Sequence, residues 1–95
     1  MTEPTSRRLE RLTWPEIGPA LDRGTDTVLI PAGAIEQHGP HLAIEKDAAW
    51  ADALGVELAE ELGDALVAPT IRPGTSEHHM GFSGTISLRP ETLMR

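Results

Sequence analysis

The stretch TVLIPAGAIEQHGPHLAIEKD, residues 27–47, joins an apolar β-branched run to a polar loop and then to the start of a helical pattern. Its first four residues favour a buried strand, which Pro31 and Gly33 would end. From Asp47 onward, apolar residues recur at spacings of three and four, which predicts an amphipathic helix ending before Gly63. The apolar positions of that helix are Ala51, Leu54, Leu58 and Leu62.

The segments around this stretch complete a βαβ pattern. Residues 65–68 predict a second strand and residues 85–88 a third, while Thr13 and Glu16 have capping-box spacing for a helix over about residues 14–23. Residues 90–95 are typical of the first turns of a further helix. A strand, helix, strand order implies a right-handed crossover between parallel strands. We therefore expect an α/β, three-layer-type parallel-sheet fold of which only the first βαβ portion is present, after a flexible N-terminus at residues 1–8.

Charge and composition limit the classes of partner. The 95 residues carry 15 acidic and 8 basic side chains, a formal charge of -7, which disfavours binding to nucleic acid or to an anionic membrane. No apolar segment resembles a membrane span or a signal peptide, so the cytoplasm is the expected compartment. The chain contains no cysteine, so His, Asp and Glu would have to supply the ligands of any metal.

Two polar loops follow the first two predicted strands, at residues 32–46 and 69–84, and parallel strands would bring them to one edge of the sheet. In an extended segment Glu36 and His38 point to the same side and Gln37 faces away. Asp47 would begin the next helix, where the helix dipole favours a carboxylate. Two carboxylates and an imidazole suit Zn or Mn, and possible bridging by Asp47 would allow a metal pair.

Other interpretations of the same residues remain open. His38 and His41 are also typical of a solvated loop, with Glu36 and Asp47 capping backbone amides. The adjacent pair His78 and His79 is a weaker metal signal on spacing alone, since neighbouring side chains diverge. A nucleophilic role for Ser76 lacks the Gly-x-Ser-x-Gly elbow that such a residue needs.

Two motifs resemble a known family. Residues 31–42, PAGAIEQHGPHL, followed by Asp47, are similar to the signature of the creatininase (creatinine amidohydrolase) family, and residues 74–88, GTSEHHMGFSGTISL, are similar to its next block. The resemblance implies that residues 9–95 are the N-terminal part of a creatininase-like α/β domain. It also implies a homo-oligomer, often a hexamer.

The resemblance implies a function and assigns roles to individual residues. The function is that of a metal-dependent amidohydrolase, which uses metal-activated water to hydrolyse a non-peptide or small cyclic amide C–N bond. A small-molecule amide would be the substrate, and a divalent metal, Zn and/or Mn in a two-metal site, the cofactor. Glu36, His38 and Asp47 match metal ligands by position, while His79, with His78 beside it, would line the catalytic, substrate-facing side.

The chain also departs from the family pattern. Lys46 stands where the family usually has Thr, and His78 stands where it usually has Glu. Family members are longer and carry a further His and Glu downstream. The alternative function is therefore that of a truncated, catalytically incomplete remnant that acts as a metal-binding or assembly module.

Overall fold

The computed structural model describes residues 5–95 and has a mixed α/β architecture. Its regular elements are α1 (Trp14–Asp22), β1 (Thr27–Leu29), α2 (Lys46–Leu62), β2 (Ala65–Val67) and α3 (Pro90–Leu93). Single 3-10 turns occur at Leu9–Arg11 and Glu77–His79. None of the helices in these residues is long and apolar enough to cross a bilayer.

The chain divides into two compact units. The first lies within Met1–Pro31 and Ala53–Pro69, and the second comprises Ala32–Asp52 and Thr70–Arg95. Every candidate metal-ligating and catalytic residue named above belongs to the second unit. That unit is therefore the one that carries the candidate site.

The first unit is built on a parallel pair of strands, as the crossover pattern predicts. Thr27 of β1 pairs with Ala65 of β2, and Leu29 pairs with Val67. The core of this unit contains Ala59, Ala65 and Val67, with Leu29 and Val56 packed against it. At the other edge of β2, the N–H of Val67 donates to the carbonyl of Arg7 over 2.7 Å.

The N-terminal segment falls only partly within the described residues. The sequence predicts a flexible N-terminus at residues 1–8, and residues 1–4 of that segment lie outside the described residues. Arg7 and Arg8 lie alongside β2, since Arg8 forms a parallel bridge with Val67. The backbone at this end of the chain therefore takes part in the hydrogen bonding of the sheet.

Two predictions about the strands are wrong. The first strand is not buried, because Val28 is 46% exposed and Ile30 65% exposed, whereas all of β2 is buried. Residues 85–88 do not form a third strand. Ile86 bridges Ile35 and Ser87 bridges Gly74, so each meets a loop residue and no continuous ladder forms.

Helix α2 buries a different face from the one that its leucines mark. Leu54, Leu58 and Leu62, which we call the leucine stripe, are 45%, 48% and 51% exposed, whereas Ala48 and Ala59 are fully buried. Small residues allow the close approach on the buried side, where a Cβ on Gly55 would lie 3.0 Å from Pro31. The prediction of the helix is confirmed, but the apolar face that its leucines mark is not the face that it buries.

The second unit contains a close backbone approach between a loop and α2. A Cβ on Gly33 would lie 2.5 Å from the Cα and 2.7 Å from the N of Ala48. The N–H of Gly33 also donates to the carbonyl of Ile71 over 2.8 Å. Gly33 thus lets the first loop lie directly against the first turn of α2 while it is hydrogen-bonded to the second loop.

The predicted capping box of α1 is present. The Oε1 atom of Glu16 accepts hydrogen bonds from the Thr13 N–H over 3.0 Å and from the Thr13 hydroxyl over 2.9 Å. The hydroxyl of Thr5 donates to the Oε2 atom over 2.9 Å. These bonds, the Thr13 backbone donor first among them, lower the pKa of Glu16 below its ordinary value of 4.5.

We expect the cap of α1 to weaken only in acid. Because the folded-state pKa of Glu16 is lowered, its stabilising contribution is present above pH 4.5 and is lost as the pH falls through the folded-state value. A carboxyl ¹³C NMR titration should therefore place the Glu16 midpoint below 4.5. A midpoint at or above that value would contradict the capping interaction.

We expect Gly33→Ala to destabilise the chain. The new Cβ would overlap backbone atoms of α2, so the free energy of unfolding should fall by about 1–3 kcal/mol in urea denaturation. Gly81→Ala is the matched control, because a Cβ there meets nothing within 4 Å and Gly81 does not have a positive φ. Equal effects of the two substitutions would refute the importance of the close approach.

Candidate metal centre

The first loop presents Glu36 through its own hydrogen bonds. The N–H of Glu36 donates to the carbonyl of Ile44 over 3.1 Å, and the carbonyl of Ile35 accepts the N–H of Ile86 over 3.0 Å. Gly39 turns the chain between Glu36 and Ile44, and its φ of +82° is a conformation that glycine adopts without strain. The Glu36 side chain is 13% exposed, so its carboxylate is largely shielded from solvent.

One group of potential ligands contains Glu36, His38 and Asp47. Each offers one ligand atom, and these atoms lie within 4.8 Å of one another. The Nε2 atom of His38 lies 3.0 Å from Oδ2 of Asp47, in the first turn of α2. The ammonium of Lys46 lies 3.3 Å from the other oxygen, Oδ1, and so offsets part of the negative charge there.

A second group shares Glu36 and adds His78 and His79, again within 4.8 Å. The 3-10 turn Glu77–His79 places both imidazoles toward Glu36, with ring centroids 4.2 Å apart. The hydroxyl of Thr85 holds this turn by donating to the carbonyl of His79 over 2.9 Å. The argument that adjacent histidines diverge is therefore wrong for this turn.

The donor set of the first group fits a divalent cation. Two carboxylates close together repel each other, and a cation between them would relieve that repulsion. Oxygen and imidazole nitrogen ligands without thiolates suit Zn, Mn and related ions. Glu36 belongs to both ligand groups, and this arrangement is compatible with one bound ion or with two.

A cavity of about 300 Å³ opens beside these residues. Its mostly apolar lining includes Gln37 from the first loop and Phe82 from the segment after the 3-10 turn. The ring of Phe82 also lies near that of His79, with centroids 6.2 Å apart. The cavity is therefore adjacent to the substrate-facing side predicted from the sequence. Its lining residues are Gln37, Gly39, Pro40, Ile44, Phe82 and Ser83.

The structure brings all five predicted site residues together around Glu36, although their roles in binding stay predictions. His41 and Glu77 are exposed and belong to neither ligand group among the described residues. Ser76 is fully buried, and its hydroxyl has no hydrogen-bond partner in the described part of the chain. A buried hydroxyl cannot reach a substrate, which argues against the nucleophile interpretation.

Sequence reasoning missed the contribution of Gln37. Strand-like alternation directs its side chain away from the site, yet its Nε2 atom lies 3.2 Å from Nδ1 of His79. The N–H of Gly39 donates back to Oε1 of the Gln37 side chain over 2.8 Å, and the other end of the amide then faces His79. The available signal was Gly39-Pro40, because a Gly-Pro pair marks a turn at which strand alternation ends.

Comparison with known proteins gives consistent matches. The family model described as "Creatininase: Creatinine amidohydrolase" matches residues 10–95. The mycofactocin precursor peptide peptidase of Mycolicibacterium smegmatis is 44% identical over 71 residues, which are 70% of this chain and 29% of that protein. The creatinine amidohydrolase of Pseudomonas putida is 37% identical over 87 residues, which are 86% of this chain and 33% of that protein.

Solved structures agree with these matches. A manganese form described as "Creatininase Mn" superimposes with a TM-score of 0.85 at 34% identity, over 94% of this chain and 36% of that one. A Zn-Zn form of a mutant creatininase gives a TM-score of 0.84 over the same fractions. The chain thus spans about a third of the length of the proteins that it matches.

We expect opposite effects from two serine substitutions near the 3-10 turn. Ser76→Ala removes a buried hydroxyl without a partner, so the free energy of unfolding should rise by about 1 kcal/mol. Ser87→Ala removes the hydroxyl that accepts the Ser76 N–H over 2.9 Å. It should lower the free energy of unfolding by about 1–2 kcal/mol, because a buried donor loses its acceptor. Urea denaturation of both variants measures these changes. An equal loss of unfolding free energy in the two variants would contradict the assigned hydrogen bonding of the two hydroxyls.

Proposed function

The chain belongs to the creatininase (creatinine amidohydrolase) family, and on that basis we propose that it supplies metal ligands and substrate-facing residues of a metal-dependent amidohydrolase. The observation that carries the proposal is the pair of ligand groups that share Glu36. Relatives named as a creatinine amidohydrolase and as a peptide peptidase support hydrolysis of a C–N bond as the type of reaction. The family also has manganese and zinc forms among its solved structures.

The proposed division of roles follows the two loops. Glu36, His38 and Asp47 would hold a divalent ion, Zn or Mn. Such an ion supplies Lewis acidity, activating water near neutral pH and polarising an amide carbonyl. Asp47 lies in the first turn of α2, near the positive end of the helix dipole.

On the substrate-facing side, His79 and His78 would contact the amide. Their rings adjoin Glu36, and the ring of Phe82 extends the surface from His79 toward the cavity. The cavity would accept the apolar part of the substrate next to its reacting amide. A mostly apolar lining with a few polar groups is typical of small-molecule sites.

Two classes of substrate are compatible with the proposed reaction. A non-peptide or small cyclic amide is the expectation from the sequence, and a creatinine amidohydrolase among the relatives supports it. Peptide peptidases among the relatives support a modified peptide instead. Parallel assays with creatinine and with a mycofactocin precursor peptide would separate these two classes. The homo-oligomer, the hexamer and the cytoplasmic location stay predictions.

Metal content of the purified chain tests the proposal. After loading with Zn²⁺ or Mn²⁺ and removal of excess ion, elemental analysis should find bound metal in the wild type and a large loss in Asp47→Asn. The isosteric change removes the charge while keeping side-chain volume. Asp26→Asn is the matched control, because Asp26 is exposed and belongs to neither ligand group.

The outcomes separate the two candidate functions. Equal metal in wild type and Asp47→Asn, or none in either, would contradict the ligand assignment. Bound metal with hydrolysis of an amide that Asp47→Asn abolishes would support the amidohydrolase. Bound metal without hydrolysis of either substrate would favour the metal-binding module.

A further inference from the structure

The orientation of the Gln37 side-chain amide is fixed by its neighbour. The backbone N–H of Gly39 lies 2.8 Å from Oε1 of Gln37. A backbone N–H can only donate, so the atom that it meets must be the amide oxygen. The other end of the amide, the NH₂ group, is therefore the end that faces His79.

This orientation determines which nitrogen of His79 carries the proton. The Nε2 atom of Gln37 lies 3.2 Å from Nδ1 of His79 in a partly buried contact. An amide NH₂ group can only donate, so Nδ1 must accept with its lone pair. In the neutral ring the single proton then resides on the other nitrogen, Nε2.

We infer that Gln37 is a positioning residue that holds His79 in the Nε2–H tautomer, so that His79 serves the site as a hydrogen-bond donor and not as a metal ligand. The tautomer itself follows from the two contacts of the Gln37 amide. Its catalytic meaning rests on the proposed amidohydrolase function. Within that function, Gln37 acts on the chemistry through His79, and its side chain also lines the cavity.

The tautomer distinguishes the two ligand groups. A histidine binds a metal through a nitrogen lone pair, and neither nitrogen of His79 has one available while the Gln37 bond is intact. His38 differs, because only its Nε2 atom is engaged, at 3.0 Å from Asp47. Its Nδ1 atom has no hydrogen-bond partner among the described residues, so the proton can move there and free Nε2. Glu36, His38 and Asp47 would therefore hold the ion, as proposed above.

The retained proton of His79 points into the site. Nε2 lies 3.9 Å from Oε1 of Glu36, which is longer than a direct hydrogen bond. The N–H is thus not consumed by Glu36 and is available to a bound molecule. A neutral imidazole N–H next to the amide would stabilise negative charge that develops on the carbonyl oxygen during hydrolysis.

NMR of the ¹⁵N-labelled chain tests the tautomer without metal or substrate. Long-range ¹H–¹⁵N spectra at about pH 8.5, well above the ordinary imidazole pKa, distinguish a protonated ring nitrogen from one with a free lone pair. A His79→Asn sample assigns the His79 signals, and the exposed His41 is the internal control. The wild type should show Nδ1 of His79 unprotonated and Nε2 protonated. The reverse pattern would overturn the inference.

The matched variant is Gln37→Glu, which keeps an acceptor for the Gly39 N–H but cannot donate to His79. In this variant Nδ1 should become protonated, because a carboxylate only accepts. Nδ1 that stays unprotonated would show that Gln37 does not set the tautomer. Addition of Zn²⁺ to the wild type should shift the His38 signals and leave the His79 Nε2 proton in place. Loss of that proton on adding Zn²⁺ would likewise overturn the inference.

The tautomer inference and the proposed function can be contradicted by different results. The Nε2–H pattern in a chain that hydrolyses no amide would sink the amidohydrolase proposal and leave the tautomer standing. In an active protein, Gln37→Glu should lower kcat with metal content unchanged. A loss of metal in His79→Asn equal to that in Asp47→Asn would instead place His79 among the ligands and refute the inference.

Discussion

The close approach of Gly33 to Ala48 is the contact on which the candidate site depends. A side chain at residue 33 would overlap the backbone at the start of α2, so glycine alone lets the loop lie against that turn. The loop then runs past the helix terminus, and Glu36 and His38 meet Asp47. A hydrogen bond from Gly33 to Ile71 holds the second loop to the first. The geometry of the first candidate ligand group thus depends on the absence of a Cβ at residue 33.

Short polar contacts, more than buried apolar area, hold the second loop in place. The single hydroxyl proton of Thr85 is shared between the carbonyls of His79 and Phe82, each 2.9 Å away, and the Ser87 hydroxyl accepts the N–H of Ser76. Each of these bonds fixes the backbone on which an imidazole stands. Directional contacts of this kind specify orientation within narrow limits, which is what a ligand or donor requires.

Local signals in the sequence predicted the elements well, and tertiary contacts caused the errors. The capping box at Thr13 and the stop at Gly63 depend only on neighbours along the chain, and both are correct. The buried face of α2 depends on what packs against the helix. Alanine and glycine lie on that face because their small size permits a close approach of neighbouring segments. Periodicity alone marks leucines as the core face, so it could not anticipate this choice.

In the candidate site, too, local sequence signals predicted some features, and others depend on tertiary contacts. Residue types and chain order made Glu36, His38 and Asp47 candidate ligands, because Zn and related ions are bound by carboxylates and imidazoles, and the structure places their ligand atoms close together. The partner of His79 could not be found this way. It requires knowing that the chain turns at Gly39, which reverses the direction expected for Gln37 from strand alternation.

The leucine stripe on α2 makes the solubility of the chain depend on ionic strength. Glu57, Glu60 and Glu61 lie exposed on the same helix, and the formal charge of the whole chain is -7. In dilute buffer, repulsion between like-charged molecules keeps the stripes of two chains apart. The screening length is about 8 Å at physiological salt and about 3 Å at 1 M, so added salt removes this repulsion while apolar attraction persists.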